Sequence, residues 1–237
     1  MIPLHDDNPA KRPPAVTVTI IGACVLAFLW QISHGSEGQQ RIVYSLGLIP
    51  AVLVGDRQLA PELVMVPASL TVLTSMFLHG GWMHLIGNML YLWIFGNNVE
   101  DAMGHGRFVL FYLLCGGAAA AAQTVLNPSS TIPMIGASGA VSGVLGAYAL
   151  LYPHARVLVG IPLGFYIHAL YLPAMAVLGF WFLLQLVSSL LSEPGEAGVA
   201  FYAHVGGFLA GVALIPVFKH RDVPLLARGH PYDRGYR

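Results

Sequence analysis

Charge is what this chain has least of. Asp, Glu, Lys and Arg make up 9% of its 237 residues, where an average soluble domain carries about 25%. So few charges cannot cover a water-facing surface. With 56% hydrophobic residues and a mean hydropathy of +0.69, the composition excludes an ordinary soluble domain and reads as a multi-span membrane bundle. An excess of either charge is also missing. The formal net charge is zero, so no nucleic-acid or polybasic partner is expected. Cysteine is limited to Cys24 and Cys115, both inside apolar runs, which points to small buried thiols and away from a disulfide or a metal site. A cleavable signal peptide is not expected either. Asp6 and Asp7 precede Lys11 and Arg12, and no small-x-small pattern follows the first apolar run.

Long hydrophobic runs are abundant. They cover residues 16–32, 82–99, 107–126, 138–152, 161–191 and 199–218, and predict an all-α membrane protein with six transmembrane helices. Residues 1–14, polar and proline-rich, are expected to be a disordered cytoplasmic lead. Residues 15–218 form the six-span domain, and 219–237 a polar cytoplasmic tail. The stretch 34–80 is long for a connection and carries amphipathic pieces, so it is expected to be partly helical and to lie along the membrane interface.

Lys11, Arg12, Arg107, Arg156, Lys219 and Arg221 fall on one side of this six-span arrangement. The loops at 127–137 and 192–198 on the other side contain no Lys or Arg. Arg41 and Arg57 in the long first loop break the pattern. The positive-inside rule then puts both termini in the cytoplasm, and a bacterial inner membrane is the expected location.

In that orientation the second, fourth and sixth helices begin on the outer side. The second carries His84 and Asn88 at i, i+4 on one face, the fourth opens on Ser138, and the sixth has His204 near its start. The fourth run is only about 15 residues, roughly 22 Å at 1.5 Å per residue, against a hydrocarbon core of about 30 Å, so Ser138 is expected below the membrane surface. Small residues at Ser138, Ser142 and Gly146, and the Gly207–Gly211 pair, are spaced for close helix approach.

A serine in a membrane helix is commonly a packing residue, and a histidine there commonly bonds a carbonyl. Four polar groups at one depth on three helices ask for more. A serine hydroxyl becomes nucleophilic when a nearby base takes its proton, and histidine is the usual base near neutral pH. No Asp or Glu occurs inside a run near His204, which excludes a Ser–His–Asp triad and leaves a dyad. Backbone N–H groups at the helix start by Ser138, the Asn88 amide and the His84 ring are candidate donors for an oxyanion. Gly136 and Gly139 would let the chain turn tightly beside the serine and a substrate approach closely.

These residues resemble the rhomboid intramembrane serine proteases. The resemblance rests on Gly-Ala-Ser-Gly at 136–139, Ala-His-Val-Gly-Gly-Phe-Leu-Ala-Gly at 203–211, and His79, His84 and Asn88 in the pattern H-x4-H-x3-N, and it spans about residues 70–218. It implies a rhomboid-like six-helix bundle with Ser138 as nucleophile and His204 as general base. It also implies that Asn88, His84 and the Ser138 N–H hold the oxyanion. Family members cleave other membrane proteins near the outer end of a transmembrane helix, so transmembrane protein substrates and membrane lipid are the implied partners, with no metal and no organic cofactor. The fifth helix and the loop after it resemble the family's lateral gate, which would place Phe180, Trp181 and Phe182 near substrate entry. Two features depart from the pattern. Ser142 stands where some members have a tyrosine that stacks on the catalytic histidine, and the first loop lacks the Trp-Arg pair that some members carry.

Two other readings compete. A catalytically silent rhomboid-like protein would bind transmembrane clients without cutting them, although such proteins normally lack the serine or histidine present here. A metal-ion or proton transporter would use His79, His84 and His204, but the membrane region lacks the carboxylates such paths commonly use.

Overall fold

The computed structural model describes residues 2–164, 166–191 and 200–227, with the side chains of Leu163 and Ser189 outside that description. The loop at 192–198 and the tail from 228 onward lie outside the described residues. The architecture is a helical bundle with one small sheet at the end opposite Ser138. In chain order the elements are strand β1 (Ile2–Asp6) and helices α1 (Ala15–Ile32), α2 (Gly35–Leu46), α3 (Pro50–Leu53), α4 (Thr71–Thr74), α5 (Trp82–Met103), α6 (His105–Leu126) and α7 (Ser138–Leu151). Strands β2 (Arg156–Leu163) and β3 (Tyr166–Pro173) follow, then α8 (Ala174–Leu191) and α9 (Phe201–Phe218).

Helix α7 is the axis of the bundle. Twelve of its fourteen residues are buried, and α5, α6, α8 and α9 pack around it. Glycines set the closest of these contacts. A Cβ on Gly207 would collide with the carbonyl oxygen of Gly139, one on Gly211 with that of Gly143, and one on Gly146 with that of Phe208. The seam thus runs along Gly139 and Gly143, one residue on from Ser138 and Ser142, and keeps Gly146 of the face expected from spacing. That offset turns the two serines away from the seam. On its other side α9 sits against α6, where a Cβ on Gly206 would meet Ala122. Such small-residue faces bring backbones close enough for dispersion and weak Cα–H···O contacts where no hydrophobic drive exists.

Among the described residues, α1, α6 and α9 have the length and hydropathy to cross a membrane. Helix α7 and the apolar part of α8 are shorter. Helix α1 starts after Pro13-Pro14, and its first amides are satisfied by a side chain from α5. Glu100 accepts the N–H groups of Val16 and Thr17 at 2.9 and 2.8 Å, and also the Thr17 hydroxyl at 2.7 Å. A carboxylate at a helix N-terminus complements the dipole there.

Two expectations are corrected at this end of the molecule. The apolar run 161–191 is not one helix: a β2–β3 hairpin occupies it up to Pro173, and α8 begins at Ala174. Hydropathy does not distinguish a buried strand from a helix, but Gly160, Pro162 and Pro173 oppose a helix. Alternate residues Val157 and Val159 are fully buried, as a strand requires. The lead 1–14 is not disordered throughout. Residues 2–6 pair antiparallel with β2, extending the sheet to three strands, and Asp6 accepts hydrogen bonds from Tyr148 at 2.5 Å and Asn98 at 3.1 Å. The all-α description therefore holds for the bundle and not for this three-stranded addition. The first part of the tail also docks, with the His220 N–H on Ala102 O and the Leu226 and Ala227 N–H groups on Leu150 and Leu151 O.

At the Ser138 end, the long first loop is partly helical, with α2, α3, α4 and three short 3-10 turns. It is tied to the 127–137 loop through the Leu48–Met134 bridge, Ala51 N–H to Ser130 O, and Gly136 N–H to Ser75 O at 2.9 Å. The turn that carries Ser138 is thereby held by the first loop.

Candidate active site

Helix geometry presents Ser138 at the first position of α7, where the backbone N–H groups have no acceptor within the helix. The chain reaches it through Gly136, which adopts φ +121°, in the left-handed region that side chains disfavour. The position is also closed sterically: a Cβ on Gly136 would lie 2.7 and 2.8 Å from Cε1 and Nε2 of His84. The imidazole edge of His84 therefore rests on the turn just before the serine.

A cavity of about 870 Å³ opens at this end. Its lining includes Ser138 and Ser142 from α7, His84, Asn88 and Tyr91 from α5, His204 from α9, and Trp181 from α8. The four polar residues singled out in the sequence thus meet on one surface. Among the described residues no hydrogen bond joins Ser138 Oγ to His204. Nδ1 of His204 lies instead 2.7 Å from Oε1 of Gln185 on α8. Asn88 donates one amide hydrogen to His84 O at 2.8 Å, leaving the other directed elsewhere, and the Gly80 N–H donates to Nδ1 of His84 at 3.3 Å.

The neighbours of these groups divide the other candidates. Ser142, 1% exposed, donates its hydroxyl to Ser138 O at 2.6 Å and so satisfies itself along its own helix. Gly139 does not face the cavity. Its role is in packing: its carbonyl oxygen faces Gly207 in the seam, and a Cβ on it would overlap Ala119 of α6. Of the three aromatic residues on α8, only Trp181 lines the cavity, its ring 5.9 Å from that of His204. Phe182 stacks on Phe208 at 4.4 Å, and Phe180 is 48% exposed on the outer surface of the bundle. That division follows from helical periodicity, since three consecutive residues cannot share one face. His79 is fully buried beside the site. Its backbone carbonyl and N–H pair with the Gln31 amide of α1 at 2.9 and 3.3 Å, and its ring meets that of His84 edge-on at 5.2 Å.

Gln185 is the residue the sequence reading did not single out. It is the one amide in the apolar run of α8, and a lone amide in such a run was the available signal. Among the described residues no cluster of three or more His, Cys, Asp or Glu could hold a metal ion.

A family model for the Rhomboid domain matches residues 68–221, from the end of the first loop to just past α9, and so contains every residue of the cavity described above. The chain is 47% identical over 81 residues to the rhomboid protease GluP of Bacillus subtilis, a match covering 34% of this chain and 15% of the relative. It is 29% identical over 153 residues to the mitochondrial Rhomboid protein 1 of Saccharomyces cerevisiae, covering 63% and 36%. It is 31% identical over 153 residues to the chloroplastic Rhomboid-like protein 11 of Arabidopsis thaliana, covering 63% and 52%. The matches thus span about half or less of each relative's length. They carry bacterial, mitochondrial and chloroplast proteins, some named as proteases and others as rhomboid-like. A bundle of apolar helices and a family match across two-thirds of its length identify an integral membrane protein, and this chain belongs to the rhomboid family.

Proposed function

We propose that this protein is an intramembrane serine endopeptidase that hydrolyses peptide bonds in or near transmembrane helices of other membrane proteins. The observation that carries this reading is the convergence of Ser138, His204, His84 and Asn88, from three helices, on one cavity. His204 takes the proton of the Ser138 hydroxyl as its oxygen attacks the substrate carbonyl carbon. The resulting oxyanion is held by the Ser138 N–H, the free amide hydrogen of Asn88 and the His84 ring. His204 then delivers the proton to the amine as the C–N bond breaks, leaving an acyl ester on Ser138. A water molecule, deprotonated by His204, attacks that ester and releases the acid, restoring the serine. No step calls for a metal or an organic cofactor.

The reading includes six membrane-spanning helices, α1, α5, α6, α7, α8 and α9, with α7 short of a full span so that Ser138 lies below the lipid surface. Both termini belong on the cytoplasmic face, of a bacterial inner membrane in the first instance. The basic residues support this orientation, since Lys11, Arg12, Arg107, Arg156 and Lys219 flank the end of the bundle that carries the sheet. Trp181 on α8 belongs to the substrate entry.

The test is cleavage of a transmembrane substrate in proteoliposomes by the wild type and by Ser138→Ala and His204→Ala. Loss of cleavage in both variants, with wild-type labelling by a fluorophosphonate that Ser138→Ala abolishes, is the expected result. A folded wild type that neither cleaves nor labels would favour the catalytically silent client-binding reading.

A further inference from the structure

The seam between α7 and α9 holds His204 on its helix, but a side chain needs its own restraint to act as a base. The serine four residues after Ser138 provides none, because Ser142 is bonded back to Ser138 O. Besides Phe201 of its own helix, which meets it edge-on at 6.5 Å, the contacts of the His204 ring come from α8. Gln185 Oε1 sits 2.7 Å from Nδ1, and the Trp181 ring stands at 5.9 Å with an interplanar angle of 36°, which walls one side without stacking flat.

We propose that Gln185 is the positioning residue of the catalytic base. An amide oxygen can only accept, so the bond assigns the ring hydrogen to Nδ1 and leaves the lone pair on Nε2 for the Ser138 proton. The proposal rests on the protease reading and adds to it what fixes the tautomer and orientation of His204. The other titratable side chains lining this cavity are His84 and Tyr91, both from α5. Among the described residues no carboxylate, lysine or arginine lines it, and the Gln185 amide is the hydrogen-bond partner that the ring has there. The restraint also depends on how α8 is seated. Its start is anchored by the buried Ala174, Val177 and Leu178, whereas no described side chain from Gly179 onward is buried. Gln185 thus lies on the part of α8 with least packing, and displacing that part removes the acceptor from His204.

Three variants and one spectroscopic measurement test this. Gln185→Leu is expected to lower kcat by about 10- to 100-fold with KM nearly unchanged, because the base loses its orientation while substrate contacts remain. Gln185→Glu restores an acceptor and is expected to recover most of that loss. Its carboxylate also stabilises the imidazolium, so the acidic limb of the kcat/KM profile moves to higher pH. Nitrogen-15 NMR of histidine-labelled protein, with His204→Ala as the assignment control, is expected to show protonated Nδ1 and unprotonated Nε2 in the wild type and a mixed tautomer in Gln185→Leu. Full activity of Gln185→Leu with an unchanged pH profile and an unchanged His204 signature would overturn the proposal. If the wild type itself does not cleave, the protease reading fails, and the NMR signature still decides whether Gln185 sets the tautomer.

Discussion

The backbone N–H of Gly80 donates to Nδ1 of His84 over 3.3 Å. A ring nitrogen that accepts carries no hydrogen, so neutral His84 has its hydrogen on Nε2, the atom that lies against Gly136 beside the serine turn. The ring is thereby set as a donor facing the turn that presents Ser138, which supports the oxyanion role proposed for it.

From this relationship we predict that His84→Ala and Asn88→Ala each reduce kcat by about 10²-fold, the usual cost of removing one oxyanion donor. Single-turnover cleavage with saturating substrate measures it. Rates equal to wild type in both variants would leave the two side chains with interhelical hydrogen bonding alone.

The glycine seam makes a stability prediction that does not depend on the chemistry. Gly211→Ala drives a methyl group into the carbonyl of Gly143, backbone that cannot rotate away, and should destabilise the bundle by about 1–3 kcal/mol. Gly179→Ala is the control, since a Cβ there meets nothing within 4 Å. Thermal unfolding in detergent micelles should separate the two, and equal midpoints would contradict the seam.

Glu100 holds the start of α1 from α5, and His105 Nδ1 lies 2.6 Å from the same carboxylate. Glu100→Ala leaves two backbone donors and one hydroxyl in a buried site without an acceptor, at an expected cost of about 3 kcal/mol. Hydrogen exchange should show the loss locally, as faster exchange at Val16 and Thr17, before any global change. Unaltered protection at these amides would refute the capping role.

Asp6 makes the strand at the N-terminus sensitive to pH. Burial raises its carboxyl above the ordinary value of 3.8, opposed by the Tyr148 hydroxyl and Asn98 amide that hydrogen-bond to it. A raised value means the folded state holds the proton more tightly than the unfolded chain. The resulting stabilisation is complete below the unfolded value and is lost as pH rises through the folded one. The stability of the wild type relative to Asp6→Asn should therefore increase as pH is lowered from neutral towards the ordinary carboxylate range. Paired unfolding midpoints at the two ends of that interval read it out, and a difference that shrinks on acidification would contradict the assignment.

Much of the site could be read from one dimension because its residues sit at helix starts. Ser138, His204 and the His84–Asn88 pair are rare polar groups in apolar runs, where lipid makes each unexplained one costly, and their position near the starts of alternate runs brings them to one end of the bundle. The glycines of α9 were legible for the same reason. What was misread is the first part of the run 161–191, up to Pro173, because a strand buried on one side and an apolar helix have the same hydropathy. There the choice was made by pairing with Ile2–Asp6, a partner some 150 residues away that no local pattern announces.

The sequence by itself determined that this chain is an integral membrane protein of the rhomboid family and which few polar residues its apolar helices carry. Those properties depend on composition and on short motifs. The tertiary structure alone decided the one-residue offset of the α7–α9 seam, which points Ser138 and Ser142 at the cavity, and the meeting of His204 with Gln185 across two helices. Helical periodicity assigns a residue to a face but not to a neighbour. Which faces meet depends on backbone approach at Gly139, Gly143, Gly207 and Gly211, and that is settled only when all the helices are packed at once.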